Sequence, residues 1–324
     1  MKKLVTVVSV AALAGALVLP PLSAAQQRRL VTIASGWVVG VYYPLAGAMS
    51  RIAYKAKDLN VRATVESSGA SVANAQLIGT GDADFALLQN DIAYYAASGT
   101  VLGAFKDKPV KNMGGIFTIY PELVHIVATS AANVKSVRDL KGKRVVLGPQ
   151  GSGTEQNALQ ILETHGVREA DLARADRVDA AAAADQLKDG RADAAFFTTG
   201  LGSAVIVDAF ISGKVTLVPV SGAEGETLRK KYPFYTLEKV PANTYKGLER
   251  EVTTPAVMAM MVARTELPED LVYRFTKAIF DDLAQFHAAH AAAKHLTLQT
   301  ALNGMPIKLH PGAEKFYREK GALR

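Results

Sequence analysis

Residues 66–91 read E-S-S-G-A-S-V-A-N-A-Q-L-I-G-T-G-D-A-D-F-A-L-L-Q-N-D, and this stretch decides the fold. Glu66 ends a β-branched run. Two serines and a glycine then lead to Ser71, a residue type that caps helices. Gly79 and Gly81 stop the helix that follows. Asp84 opens an apolar run that ends on the polar residues Gln89, Asn90 and Asp91. The spacing predicts a strand, a helix over 71–78 and a buried strand over 84–88. Helix N-termini and strand ends are where an α/β protein holds a small polar ligand.

Working outward, residues 30–34 and 61–66 read as strands and residues 41–55 as a helix, so the first part of the chain alternates β-α-β-α-β. That order implies a parallel-rich sheet with helices on both faces. A similar order recurs later. A strand over 144–147 opens into Gly148-Pro149-Gln150-Gly151-Ser152-Gly153-Thr154, followed by a helix to about residue 165, a short strand within 172–178 and a helix over 180–187. G-R-A-D-A-A-F-F (residues 190–197) then echoes G-D-A-D-F-A-L-L (residues 81–88), with Thr198 and Thr199 standing where Gln89 and Asn90 stand. We expect two similar α/β lobes with a cleft between them, joined by crossing strands over 124–128 and 256–263. The first lobe covers 26–128 and the second 129–254. Residues 255–324 return to the first, with a helix from Pro268 to about residue 295 and another after Pro311.

The N-terminus reads as an export signal. Lys2 and Lys3 precede an apolar run over 4–19, then Pro20-Pro21 and the small residues Ser23-Ala24-Ala25. That run is about 16 residues, short of the ~20 that a spanning helix needs. A cleaved segment over 1–25 and a periplasmic protein are therefore expected, and the absence of cysteine removes a lipid anchor. It also removes disulfides, thiolate metal sites and a cysteine nucleophile. The net charge of +7, two less without Lys2 and Lys3, is spread among interleaved acids and bases. No basic stripe with stacking aromatics appears, which argues against nucleic acid as a partner.

Four loops could carry chemistry. Residues 148–154 look like a phosphate loop, but Glu155 follows Thr154 and the lysine of a nucleotide-hydrolysing loop is missing. Ser152 and Thr154 still offer hydroxyls at a helix start. Ser67-Ser68-Gly69-Ala70-Ser71, with Asn74 one turn on, forms a second loop of this kind. Ser35-Gly36-Trp37-Val38-Val39-Gly40-Val41-Tyr42 carries the one tryptophan, and Tyr120-Pro121-Glu122 lies just before the first crossing strand. Each has a plainer reading, as an N-cap, a core aromatic or a surface acid. No G-x-S-x-G elbow, H-E-x-x-H or calcium loop is present. His287 and His290 read as one helix face without a neighbouring acid, so no metal, no cofactor and no catalysis are expected.

Taken together, G-V-Y-Y-P (40–44), residues 66–74 and 81–91, Y-P-E (120–122), D-L-K-G-K-R-V (139–145), G-S-G-T-E-Q-N (151–157), Y-P-F-Y (232–235) and L-H-P-G-A-E (309–314) resemble the TAXI family. These are extracytoplasmic solute receptors of tripartite ATP-independent periplasmic (TRAP) transporters. The resemblance implies a two-lobed, type II-like periplasmic binding protein fold acting as a monomer. It would capture a small anionic solute, such as a glutamate- or glutamine-like amino acid or a dicarboxylate, and deliver it to a TRAP permease; a receptor for an ATP-driven (ABC) transporter or a periplasmic sensor is the alternative. An exported transferase or hydrolase using the same cleft is the alternative from another class. Carried over by position, the ligand-binding residues are Tyr42, Ser71, Asn74, Gln89, Tyr120, Glu122, Ser152, Thr154 and Thr198. Trp37 departs from the family's small hydroxyl-bearing residues at that loop.

Overall fold

A computed structural model describes residues 28–100 and 102–323. The export-signal reading of residues 1–25 lies outside the described residues. In the first half, β1 (Arg29–Ala34) and α1 (Tyr42–Lys55) precede β2 (Val61–Glu66), α2 (Ser71–Thr80), β3 (Phe85–Gln89) and α3 (Asn90–Ser98). The long strand β4 (Met113–Thr129) then crosses into the second half. This holds β5 (Arg144–Val146), α4 (Gly153–Thr164), β6 (Arg174–Asp176), α5 (Ala180–Lys188), β7 (Ala194–Thr199), α6 (Ala204–Ile211), β8 (Val215–Leu217), α7 (Gly222–Lys231) and β9 (Thr236–Val240). Strand β10 (Val252–Arg264) crosses back, and α8 (Glu269–Asp281), α9 (Leu283–His287) and α10 (Pro311–Glu319) complete the first half.

The strands form one curled mixed sheet in the order β2-β1-β3-β10-β4-β7-β5-β6, with β8 beside β4 and β9 beside β10. The parallel order β2-β1-β3 in the first half is matched by β6-β5-β7 in the second. Each trio ends against an antiparallel crossing strand, β3 on β10 and β7 on β4. The result is the two-lobed solute-binding fold: two α/β halves sharing a pair of long strands, with a cleft where the β3 and β7 ends face each other.

Both faces of the inner strands β3 and β7 are covered, which is why they are buried along their whole length, whereas the edge strand β2 alternates buried and exposed residues. In the first half α1, α8 and α10 bury Leu45, Met49, Phe275 and Phe316 on one face, and α2 and α3 bury Ile78 and Ile92 on the other. In the second, α5 and α6 cover Phe197 and α4 covers Phe196. Each such side chain contributes about 1.5–3 kcal/mol when removed from water.

Two expectations need correction. Tyr120-Pro121-Glu122 does not precede the crossing strand but lies within it, because β4 begins at Met113. Proline fits there because the β4–β10 register slips by one residue between the pairs Met258↔Pro121 and Met260↔Thr118, leaving a bulge. The helix expected from Pro268 to about residue 295 is broken instead: α8 ends at Asp281, and the Asp282 carboxylate caps the short α9 by accepting from the Gln285 N–H.

The C-terminal helix is fixed by one small residue. His310 caps α10, its Nδ1 accepting from the Gly312 N–H at 3.1 Å. A β-carbon on Gly312 would lie 2.3 Å from the Glu269 carbonyl oxygen and 2.6 Å from the Tyr273 backbone nitrogen of α8. Neither backbone atom can yield without moving the helix. Gly312→Ala is therefore expected to destabilise the protein by about 1–3 kcal/mol, the usual cost of overpacking. Urea denaturation checks this, and an unchanged midpoint would mean that the α8–α10 contact is looser than described.

Candidate functional site

The cleft holds a cavity of about 350 Å³, its mouth included. The first half supplies Trp37 from the β1–α1 loop, Tyr42, Ala70, Ser71 and Gln89, and the crossing strand β4 supplies Glu122. The second half supplies Gly153, Thr154, Thr198 and Thr199.

Two helix starts meet here from opposite sides. Ala70 precedes α2 with φ 71° and ψ −143°, a conformation that an alanine adopts only under strain. It brings the chain abruptly from β2 into α2, so that the first turn opens onto the cavity. Across from it, Ser152 caps α4 by accepting from the Glu155 N–H at 3.1 Å. Among the described residues, the N–H groups of Ser71, Val72, Gly153 and Thr154 donate to no other backbone or side-chain group. First-turn N–H groups carry a partial positive charge that suits an anion. The Thr154 hydroxyl accepts from the Thr198 N–H at 3.2 Å, which leaves its proton free to donate into the cavity. A β-carbon on Gly153 would sit 2.0 Å from Gln89 Oε1, so a larger residue there would force the Gln89 amide aside. The two halves therefore touch at the cavity wall.

The floor is a buried carboxyl. Glu122 accepts from the Tyr42 phenol at 2.6 Å and from the Tyr120 phenol at 3.2 Å. Burial opposes its charge and pushes its pKa up to about 8, even though both phenol hydrogen bonds pull the other way. Among the described residues, no Lys or Arg lines the cavity. At pH 7 the floor is thus largely uncharged, and the positive ends of α2 and α4 set the local field.

Six of the nine residues expected to bind ligand line the cavity: Tyr42, Ser71, Gln89, Glu122, Thr154 and Thr198. The other three lie behind it. The Asn74 side chain is spent on backbone, its Nδ2 donating to the Ser35 and Leu87 carbonyls and its Oδ1 accepting from Ser68. Tyr120 is fully buried behind Glu122, and Ser152 serves as the α4 cap. Trp37, Ala70 and Thr199 were not among the expected nine. The loop of Trp37 stood out in sequence, whereas nothing in an alanine's identity announces a positive φ.

Behind the cavity a second set of polar groups spans the halves. Asn157 Nδ2 of α4 donates to Asp91 of α3 at 3.2 Å and to the Tyr235 phenol at 2.7 Å, while its Oδ1 accepts from Thr198 at 2.9 Å. Burial pushes Asp91 up to about 7.

Fold and cavity together define a two-lobed solute-binding protein architecture. The chain belongs to the NMT1-like family, whose model matches residues 33–321. Two solved structures with this fold are PhnD1 from Prochlorococcus marinus (MIT 9301) in complex with methylphosphonate, and the binding protein component of an ABC phosphonate transporter from Pseudomonas aeruginosa. The first is 12% identical with a TM-score of 0.56, over 91% of this chain and 99% of that one. The second is 11% identical with a TM-score of 0.50, over 82% and 79%. These findings correct the resemblance drawn from the motifs: the family is NMT1-like rather than TAXI, and the Pseudomonas neighbour is a component of an ABC transporter rather than a TRAP receptor. Two of the quoted motifs, around Ser71 and Ser152, are glycines and hydroxyls at helix starts, a chemistry that suits small anions in general.

The buried acids set a pH dependence. A carboxyl whose folded pKa is raised binds more protons folded than unfolded, so stability falls as pH rises from the unfolded value to the folded one. For Glu122 that window runs from about 4.5 to about 8, and for Asp91 from about 4 to about 7. Thermal melts between pH 5 and 9 should show this fall, and Glu122→Gln should abolish the part between pH 7 and 8. If the variant keeps the full slope, Glu122 is hydrated in the folded protein.

Proposed function

We propose that this chain is an extracytoplasmic solute-binding protein of an ABC-type transporter, which captures a small solute bearing one negative charge and releases it to a membrane partner. The observation that carries the reading is the cavity itself. Two helix N-termini from different halves converge on one small space that contains a protonatable carboxyl and no cation. A single anionic group, whether carboxylate, sulfonate or singly ionised phosphonate, would be held by N–H groups and hydroxyls. A second negative charge would meet Glu122.

The shared fold of the phosphonate transporter's binding protein supports the ABC assignment. Periplasmic location follows from the same reading. Binding without catalysis is part of it too, because the lining offers hydroxyls, an amide, an indole and one carboxyl but no adjacent nucleophile and base.

The mechanism is closure. Ligand contacts both faces only when the halves meet, so it favours the closed arrangement by the difference in its contacts between the two states.

The test is a thermal-shift panel on protein unfolded, dialysed and refolded to remove retained solute. Methylphosphonate, ethanesulfonate, L-glutamate and succinate serve as probes. A true ligand at a hundredfold excess over its Kd should add about 2.7 kcal/mol of stability. Thr154→Val should then weaken binding of that probe by about 1–3 kcal/mol, the cost of removing one buried donor, and should also lower the ligand-free melt, because the Thr198 N–H loses its acceptor. No shift with any probe would overturn the anion reading, and turnover of a bound probe would overturn the pure-binder reading.

A further inference from the structure

Trp37 is the one tryptophan of the chain, and it lies where the two halves meet. Its loop belongs to the first half. The Gly40 N–H closes a turn onto the Trp37 carbonyl at 2.9 Å, and Ser67 holds the Gly36 carbonyl at 2.9 Å. Asn74 fixes the preceding carbonyl of Ser35. The indole leaves this anchored loop and packs against the apolar cluster of the second half, which contains Leu123, Phe197 and Val205. The same ring lines the cavity, and its Nε1 is buried with no hydrogen-bond partner. Gln89 Oε1, 3% exposed with its residue and on the same cavity, is also without a partner.

An indole N–H can only donate, and a buried donor without an acceptor opposes the arrangement that buries it. The ring's apolar contacts favour that same arrangement. The two effects conflict until something in the cavity accepts the hydrogen bond.

We propose that Trp37 is a ligand-recognising residue that couples occupancy to closure: its Nε1–H donates to an acceptor oxygen of the bound solute while its ring seats on the second half. Gln89 Oε1 takes a ligand N–H or O–H in the same pose. The solute therefore carries both an acceptor and a donor, as amino acids, hydroxy acids and singly ionised phosphonates do and as alkylsulfonates do not. This deepens the proposed function and rests on it.

Because no other tryptophan contributes, emission of the purified protein reports Trp37 alone. At pH 6, methylphosphonate keeps a P–OH donor that methanesulfonate lacks, while the two are nearly the same size. L-Glutamate supplies a different donor-bearing acid. Each probe is titrated separately against wild type and Trp37→Phe, which keeps a ring but removes the N–H.

The expected result is binding of at least one donor-bearing probe, with a blue shift of wild-type emission and a weaker response to methanesulfonate. Trp37→Phe should raise the Kd of that probe about tenfold, as loss of a buried hydrogen bond does, while the ligand-free melt stays within about 2 °C of wild type. If a donor-bearing probe binds but emission and the Kd of Trp37→Phe are both unchanged, the role of Trp37 is overturned and the solute-binding reading survives. Tighter binding of methanesulfonate than of methylphosphonate overturns the donor requirement. Should none of the three probes bind wild type, the functional reading falls, and this inference with it.

Discussion

The antiparallel pairing of β4 with β10 is the constraint from which the rest of the structure follows. Both strands run through both halves, so each half completes its sheet with a piece of the other's connection. Neither half can be displaced without bending this pair. The pair is irregular at two places, and one of them, between Thr118 and Pro121, lies close to Glu122 at the cavity floor. Proline removes one ladder hydrogen bond in a strand that otherwise has two neighbours. The site thus lies beside one of the sheet's irregularities, a common position for a group that must face a ligand.

The electrostatics of the cavity follow from what is missing among its lining residues. With no lysine or arginine there, an anion is favoured only by oriented N–H groups and hydroxyls, whose strength depends on excluding water. A carboxyl on the same floor would cancel that effect if ionised. Burial resolves the conflict by keeping Glu122 largely protonated near neutrality. A lysine in its place would hold an anion more strongly but would also slow release. Fixed dipoles with a neutral floor suit a carrier that must let go.

The legibility of this chain in its sequence divides along physical lines. The segment 66–91 was readable because cap, glycine stop and apolar run all agree, and β2, α2 and β3 lie within two residues of the expected positions. The duplicated order was readable from the echo of residues 81–88 in 190–197. Crossing strands were read too short, since the glycines at 114 and 115 and Pro121 look like breaks when the bulges that accommodate them are unknown. Polar residues near the cleft could be identified but not assigned. Asn74 and Ser152 have the same chemistry as Ser71 and Thr154, and only the direction of each side chain separates a backbone clamp from a ligand contact. Family assignment failed for a related reason: short glycine and hydroxyl motifs report local backbone demands, and these are shared across receptors with different transport partners.

Closure of the cleft draws on few contacts beyond the cavity. Phe234 of the second half meets Tyr94 and Tyr95 of the first at ring separations of 5.0 and 5.9 Å. The Ala73 N–H donates across to the Gly151 carbonyl at 3.3 Å, and Asn157 reaches Asp91. Each is worth on the order of 1 kcal/mol. Asp91 is fully buried beside these contacts, and burial pushes its pKa up to about 7. A few kilocalories per mole from a ligand suffice to decide the equilibrium, since about 1.4 kcal/mol changes it tenfold. A ligand that bridges the two faces would thus shift the population of closed molecules by the difference in its contacts between the two states.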